Sequence, residues 1–340
     1  MESIDVRKSA LIDWLRQLGN LPVFRLETMV GDASMRRYFR VYTPRQSFVA
    51  MDAKPPQENC VPFVAIAKAL SRAGLNAPAI IAADIPQGFL LLTDFGHTTF
   101  QNALNEENAA LLYSKALKAL LVLQQPHQVD GWQVPPFTAD WMWKEWAWHK
   151  EWFLEKWLKI QLTEAQEKAL DGNYAAIVDL CVAQPQVFMH RDFHSANLML
   201  LPQNEVGILD FQDAFIGPLT YDLASLLRDA YVAWPKEAVT EWALFYFNEL
   251  QQSGALKSVS STTFLRWFDF MSMQRHLKAL MTFSRKAVRD HEPRYLQHVP
   301  RTMQYLVDES SHYAETKALH TLLVQKVLPA LKGVNLACAL

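Results

Sequence analysis

The chain contains the stretch His190-Arg191-Asp192-Phe193-His194-Ser195-Ala196-Asn197 and, shortly after it, Gly207-Ile208-Leu209-Asp210-Phe211-Gln212-Asp213. An aspartate on a predicted loop is thus followed by an asparagine and then by a second aspartate that ends an apolar run. Phosphoryl transfer needs a carboxylate that orients and deprotonates the attacking hydroxyl, and oxygen ligands that hold Mg²⁺ against the phosphates. Asp and Asn side chains supply such hard oxygen ligands. The spacing therefore predicts a phosphoryl-transfer site.

Length and composition restrict the class of protein. The chain has 340 residues, half of them hydrophobic and 20% charged, which predicts about two globular domains and disfavours disordered or fibrous protein. A net charge of −2 lacks the basic excess of a nucleic-acid binder. Three scattered cysteines, no apolar leader in the first 20 residues and no apolar run of 18 residues favour a cytoplasmic protein without a membrane partner.

Hydrophobic periodicity divides the chain near residue 95. Strand-like patterns at 23–30, 38–42 and 47–53 predict an antiparallel meander, and the helical period at 61–74 predicts a helix packed on that sheet. Two further apolar runs follow at 79–83 and 89–93. Longer helical periods follow, at 106–124, 140–158, 163–183, 221–232, 236–252 and 262–289, with short strands at 186–189, 198–201 and 206–209. We therefore predict an α+β fold with a small β-rich lobe, residues 1–95, and a large helical lobe, residues 96–340.

The stretch from 190 to 213 resembles the catalytic and metal loops of the protein-kinase-like fold, in its aminoglycoside-phosphotransferase branch. That resemblance implies ATP as the phosphoryl donor, Asp192 as catalytic base, and Asn197 and Asp210 as ligands of Mg²⁺. The sequence Asp210-Phe211-Gln212 departs from the Asp-Phe-Gly of protein kinases, and no Ala-Pro-Glu follows it. A small-molecule acceptor is therefore favoured over a protein, and no protein partner is implied.

Four further segments, at 31–40, 92–96, 217–223 and 284–296, resemble in the same order those of the bacterial anomeric N-acetylmuramate/N-acetylglucosamine kinases. This resemblance implies transfer of phosphate to the anomeric C1 hydroxyl of an amino sugar in cell-wall recycling. Three alternatives stay open: a kinase for another small alcohol such as choline or an aminoglycoside, a nucleotide-binding pseudokinase, and a zinc hydrolase that uses His190, Asp192 and His194.

The nucleotide site departs from the kinase pattern. The turn 31–37 lies between two predicted strands, where backbone N–H groups, a serine hydroxyl and two arginines suit a triphosphate. Met51 stands where kinases place a phosphate-pairing lysine, and the predicted helix 61–74 contains no acidic residue. Either a lysine three residues later or the arginine pair takes that part, or nucleotide binding is weaker than in related kinases, and we favour the arginines. The predicted nucleotide-binding residues, including an adenine-binding hinge, are Ser34, Arg36, Arg37, Lys54, Leu92 and Asp94.

Two regions are candidates for sugar binding. Six of the 11 tryptophans lie between 141 and 157, where one helix face suits a core and the other either a sugar or a second buried contact. The segment 266–294 has seven Lys/Arg against three Asp/Glu. It is either a solvated helix face or a site where Arg275, His276 or Arg289 meets a substrate carboxylate such as a lactyl group. The predicted sugar-contact residues are His194, Asp213, Glu145, Trp148 and Arg275.

Overall fold

A computed structural model describes residues 5–19, 21, 23–29 and 36–334 and divides the chain into two compact units. The first unit contains residues 1–103, 127–134 and 197–213, and the second contains residues 104–126, 135–196 and 214–340. Asp192 therefore belongs to the second unit, whereas the segment with Asn197 and Asp210 belongs to the first. The lobe boundary at residue 95 stays a prediction.

The first unit is built on a five-stranded antiparallel sheet in the order β1-β2-β3-β5-β4. Its strands are β1 Arg25–Thr28, β2 Arg37–Tyr42, β3 Ser47–Asp52, β4 Ile80–Asp84 and β5 Phe89–Thr93. β-Branched and aromatic residues fill the central strands, as a half-buried pleated surface favours. The predicted antiparallel meander of β1, β2 and β3 is confirmed, and β5 then pairs with β3 while β4 lies at the edge.

Two helices belong to this sheet unit. Helix α1, Val6–Gln17, packs Leu11, Trp14 and Leu15 into one core cluster with residues of the sheet, and the sequence analysis did not foresee it. Helix α2, Val61–Arg72, buries its apolar face as its periodicity predicts. Each large apolar side chain buried in this way contributes about 1.5–3 kcal/mol.

A hairpin completes the first unit. Strands β7, Leu198–Leu200, and β8, Val206–Ile208, pair with each other. Strand β7 packs against the short helix α3, Phe100–Ala103. Asn76 fixes the hairpin, since its carbonyl accepts from the Ile208 N–H at 2.8 Å and its side chain donates to the Val206 carbonyl at 3.1 Å. A Cβ at Gly207 would lie 2.8 Å from the Phe95 ring, so this close approach requires glycine.

The second unit is mainly helical, around the 29-residue helix α9, Ser261–Arg289, which packs against α5, α6, α7 and α10. The other helices are α4 Ala109–Leu123, α5 Ala139–His149, α6 Glu164–Val182, α7 Tyr221–Leu227, α8 Lys236–Gln252, α10 Val299–Ser311, α11 Lys317–Leu322 and α12 Leu328–Lys332. Strands β6, Gln186–Met189, and β9, Phe215–Pro218, pair antiparallel. With the sheet unit, this confirms the predicted α+β architecture. Within the described residues, no helix is both long and apolar enough to cross a bilayer.

Two predicted helices differ from those observed. The period over 140–158 is split into α5 and a π-helical segment, Lys150–Trp157, so the two tryptophan faces are not continuous along one α-helix. The period over 221–232 ends at Leu227, because Arg228 leaves helical backbone geometry (φ −119°, ψ 53°). Residues 228–232 continue as a partly buried loop.

Candidate active site

The loop after β6 is held from below by a buried carboxylate. Asp222, in the first turn of α7, accepts hydrogen bonds from the backbone N–H groups of His190, at 2.6 Å, and Arg191, at 2.9 Å. Burial raises the pKa of Asp222, although His190 and the two N–H donors oppose the shift. Such a buried acceptor fixes the backbone that leads into Asp192.

Arg191 occupies a strained position. Its φ of 82° lies in the left-handed region, which costs a non-glycine residue about 1–3 kcal/mol. The Arg275 guanidinium donates to the Arg191 carbonyl at 2.6 Å, while the Arg191 side chain lies 3.5 Å from Glu145 and over the rings of Trp141 and Phe215. The strain is therefore offset by contacts on both its backbone and its side chain.

Asp192 faces two cations of α9. The Lys278 Nζ lies 2.9 Å from its Oδ1 and an Arg275 nitrogen lies 3.9 Å from the same atom, while 30% of the Asp192 side chain is exposed. Burial opposes ionisation, but the charges of Lys278 and Arg275 outweigh it and hold the pKa of Asp192 well below its usual range. The carboxylate is therefore ionised at neutral pH, with its basicity reduced.

Lys278 was not among the predicted site residues. It lies 86 residues after Asp192 in the chain, so no local motif connects the two. The sequence signal that could have identified Lys278 is its spacing of three residues from Arg275 on a predicted helix, because this spacing places both side chains on one helix face.

A small cavity of the second unit opens beside Asp192 and His194 and includes Asp229, Tyr231 and Thr282 in its wall. The His194 ring stands edge-on to Tyr231 at 5.1 Å, and burial lowers the pKa of His194 to about 3, so the imidazole is neutral.

Asp229 accepts from the backbone N–H groups of Ser195, at 2.9 Å, and Tyr231, at 2.8 Å. Burial raises the pKa of Asp229 to about 6.

The two tryptophan faces have different surroundings. Trp146 is a core residue, stacked on Tyr174 with ring centroids 4.8 Å apart. On the other face Trp141 donates to Glu145 at 3.2 Å, and the half-buried Trp148 stands edge-on to Trp141. Glu145 is 2% exposed and also accepts from Gln274, at 2.7 Å. Glu145 is thus engaged by protein donors on α5, α9 and the Arg191 loop.

In the first unit, the hairpin of β7 and β8 places the two predicted metal ligands, Asn197 and Asp210, at the same end of the hairpin. The Leu209 N–H donates to the Asn197 carbonyl at 3.0 Å, so Asn197 lies opposite the residue that precedes Asp210. Asp210 is exposed, has a φ of 60° and accepts from Gln212 at 2.7 Å. One amide oxygen and one carboxylate fit Mg²⁺, which takes few protein ligands and completes its shell with phosphates and water.

The zinc alternative receives no support. Within the parts of the chain that the structure describes, no three His, Cys, Asp or Glu side chains are grouped as metal ligands. This includes His190, Asp192 and His194. The exposed Asp213, the other predicted acid of the first unit, lies 3.5 Å from the Gln212 amide.

Arg36 forms an ion pair with an acidic residue, of a kind that the predicted helix 61–74 does not contain. Its Nε lies 2.9 Å from a carboxylate oxygen of Glu58, which stands just before α2. Burial opposes a charge here, but Tyr38, Glu58 and the more distant Asp213 and Asp210 raise the pKa of Arg36. The search for an acid within 61–74 missed Glu58 because this residue precedes the helix.

The other predicted phosphate-binding residues have varied surroundings. Arg37 forms ion pairs with Asp52 and Asp5, both at 2.5 Å, at the end of the sheet. Lys54 is exposed after β3. Ser34 lies outside the described residues.

The predicted hinge starts within the sheet. Leu92 is buried in β5, between Val49 of β3 and Ile80 of β4. Asp94 forms an ion pair with Arg40 at 2.7 Å and accepts from the Gly96 N–H at 2.9 Å. The Asp94 side chain therefore stabilises the turn that follows β5.

Comparisons with known proteins agree with this geometry. The sequence model of the phosphotransferase enzyme family, APH, matches residues 25–257. The N-acetylmuramate/N-acetylglucosamine kinase of Pseudomonas putida is 38% identical over 335 residues, which span 96% of this chain and 98% of that protein.

Solved structures share the fold. A choline kinase of Streptococcus pneumoniae, LicA, superposes with a TM-score of 0.62 at 13% identity, over 88% of this chain and 99% of that chain. The ADP-bound aminoglycoside phosphotransferase APH(2'')-Ib superposes with a TM-score of 0.60 at 14% identity, over 90% of this chain and 99% of that chain.

The sheet unit, the helical unit and the aspartate loops define a protein-kinase-like phosphotransferase that acts on a hydroxyl acceptor. The chain belongs to the phosphotransferase enzyme family, APH. Both predictions are confirmed.

Proposed function

We propose that this chain transfers the γ-phosphoryl group of ATP to the anomeric C1 hydroxyl of N-acetylmuramate and N-acetylglucosamine, in cell-wall recycling. The similarity to the Pseudomonas putida kinase, over nearly the whole of both chains, supports this acceptor. The observation that carries the chemistry is the ionised Asp192 beside a cavity, with Lys278 at 2.9 Å.

In this proposal Asp192 accepts a hydrogen bond from the sugar hydroxyl, orients it for in-line attack and takes its proton. The new O–P bond forms as the bond between the γ-phosphorus and the β,γ-bridging oxygen of ATP breaks, and ADP leaves. The low pKa of Asp192 makes it a weak base, so orientation contributes more than deprotonation. Base catalysis of this kind adds about 10²–10⁴-fold to the rate. Lys278 holds the carboxylate in place, and Arg275 supports the loop through the Arg191 carbonyl.

For the donor side we propose that Asn197 and Asp210 hold Mg²⁺, which neutralises phosphate charge when it is bound. Arg36, paired with Glu58, replaces the strand lysine at the phosphates. We assign further phosphate contacts to Ser34 and Lys54. Leu92 and Asp94 mark the hinge that receives adenine. Arg37, which is engaged by two aspartates, takes a structural part instead.

For the acceptor side we propose that the sugar lies against His194 and Trp148. The neutral His194 has a ring nitrogen, Nδ1, that no group of the described residues satisfies, and it suits a hydroxyl donor. Trp148 offers an apolar ring face to the sugar. Asp213 is a candidate for a more remote hydroxyl, and Glu145 acts through Arg191.

The charge of the cavity wall weighs against the alternative acceptors. Lys278 and Arg275 stand beside Asp192, so a cationic acceptor such as choline or an aminoglycoside meets like charges there. The Arg36–Glu58 pair likewise weighs against a pseudokinase, because it supplies a cation for the phosphates without the strand lysine.

The test uses the full-length protein with MgATP and each sugar, and identifies the product by phosphorus NMR. We expect a sugar 1-phosphate from both sugars. Phosphate on C6, or no product from either sugar, would contradict the proposal. Choline and kanamycin serve as control acceptors, and turnover of one of these instead of the sugars would favour the alternative.

A further inference from the structure

One face of α9 carries a row of polar and cationic residues that starts at the active site. Arg275, Lys278, Thr282, Arg285 and Arg289 follow each other at spacings of three and four, so they share one helix face. The first two contact Asp192 or its loop, and the third lines the same cavity. The row therefore leads away from the proposed reaction centre along the helix.

Most cations of α9 have an acidic partner. Arg266 pairs with Glu315 at 2.8 Å, and Lys286 and Arg289 both pair with Asp290, at 3.3 and 2.6 Å. Arg285 differs. Within the described ranges no carboxylate pairs with it, and its buried Nε has no hydrogen-bond acceptor.

The surroundings of Arg285 are electropositive. The guanidinium is half-buried, and burial, followed by the charge of Arg289, lowers the pKa of Arg285. The charge of Arg191, from the loop beside Asp192, acts in the same direction, and the nearby Asp290 opposes it. A half-buried guanidinium among like charges is destabilising unless an anion compensates it.

We propose that Arg285 binds the carboxylate of an anionic sugar acceptor, the lactyl group of N-acetylmuramate, and so sets the preference between the two sugars. The inference rests on the proposed function. A planar guanidinium matches a carboxylate with two parallel hydrogen bonds. N-acetylglucosamine has a hydroxyl where N-acetylmuramate carries the lactyl ether, so it lacks the group that Arg285 recognises.

The distance along the helix suits this assignment. Seven residues separate Lys278 from Arg285, a rise of about 10 Å along α9. Both side chains are long, and the lactyl ether on C3 extends its carboxylate several bonds away from C1. The sugar can therefore present C1 at Asp192 and its carboxylate further along the same helix face.

The other residues considered for this contact already have acceptors within the protein. Arg275 donates to the Arg191 carbonyl, and Arg289 is bound by Asp290. His276 is buried between Glu309, at 2.9 Å, and the Arg228 carbonyl, at 3.2 Å. Each of these side chains has a protein acceptor, which leaves Arg285 as the cation of this helix that awaits an anion.

The experiment measures kcat/KM for both sugars in the wild type, Arg285→Gln, Arg285→Lys and Arg266→Gln. We expect Arg285→Gln to lower the ratio of kcat/KM for N-acetylmuramate over N-acetylglucosamine by about 10–100-fold, mainly through KM, since a hydrogen bond to a charged group is worth about 1.5–3 kcal/mol. Arg285→Lys keeps the charge without the planar fork and should give an intermediate ratio. Arg266→Gln, at the far end of α9, should keep the wild-type ratio.

The outcomes separate the two proposals. A wild type that phosphorylates neither sugar overturns the proposed function and this inference with it. A wild type active on both sugars with an unchanged ratio in Arg285→Gln overturns the inference alone. An equal loss for both sugars also overturns it, because it indicates a general structural role, which a parallel thermal unfolding measurement would reveal.

Discussion

The loop 190–195 of the second unit and the loop 209–213 of the first each present an aspartate just after a short strand, yet the two carboxylates are compensated differently. Asp192 meets the ammonium group of Lys278 at 2.9 Å. Asp210, which is exposed, accepts from the neutral Gln212 amide at 2.7 Å. The ammonium group of Lys278 thus faces Asp192, whereas the exposed Asp210 contacts the Gln212 amide, and we propose that Asp210 serves an added divalent ion.

The largest effect is expected from the loop with the built-in cation. Asp192→Asn removes the group that orients and deprotonates the acceptor, so kcat should fall by at least about 10³-fold. A coupled ADP-release assay measures it, with far-UV circular dichroism to verify folding. Asp130→Asn, in an exposed ion pair with Arg72, is the matched control and should keep wild-type kcat. Normal turnover in Asp192→Asn would remove this residue from its proposed role.

Asp210→Asn tests the other side of the comparison. We expect a loss of about 10²-fold or more at low Mg²⁺, since metal ligation contributes several kcal/mol of charge stabilisation. The half-saturating Mg²⁺ concentration should rise in Asp210→Asn and stay unchanged in Asp192→Asn. If magnesium titrations of the two variants coincide, the two loops do not differ in the way described here.

Lys278→Met tests the comparison by removing the cation that pairs with Asp192. Without Lys278, burial dominates and the pKa of Asp192 rises. Protonation then occurs at higher pH, so the acidic limb of the kcat/KM profile should move upward by about one pH unit or more. Lys278→Arg should restore most of the wild-type profile. Lys286→Gln, which alters another ion pair of α9, is the control and should leave the limb in place.

The smallest effect concerns the stability of the loop 190–195. Burial raises the folded-state pKa of Asp229 to about 6, above the ordinary value of an aspartate of about 4, so the stabilisation by protonated Asp229 is fully present below about pH 4 and is lost as the pH rises through 6. Two pKa units correspond to about 3 kcal/mol. Urea unfolding at pH 4.5 and 7.5 should therefore show a smaller change for Asp229→Asn than for the wild type. Identical changes in both proteins would contradict this assignment. The exposed Asp130→Asn is the control, because the pKa of Asp130 is lowered.

Local patterns foresaw much of the fold. The periods over 236–252 and 262–289 correspond closely to α8 and α9, and those over 47–53 and 61–74 to β3 and α2. Helices α1, α3, α10, α11 and α12 and strand β9 were missed. α1 has a weak apolar face that is stabilised by contacts with the sheet, and β9 is a short strand whose pairing partner, β6, lies far away in sequence. Such elements depend on tertiary contacts that periodicity does not contain.

The sequence by itself determined the residue types and their order: an aspartate, an asparagine and a second aspartate on short loops, and a helix with cations at spacings of three and four. These properties are local, since they follow from side-chain chemistry and backbone period. Only the tertiary structure decided which charges meet. It placed Glu58 beside Arg36 and Lys278 beside Asp192, and it left Arg285 without an acid within the described residues. Ion pairs form between groups that folding brings within a few ångströms, and sequence separation carries no record of that distance.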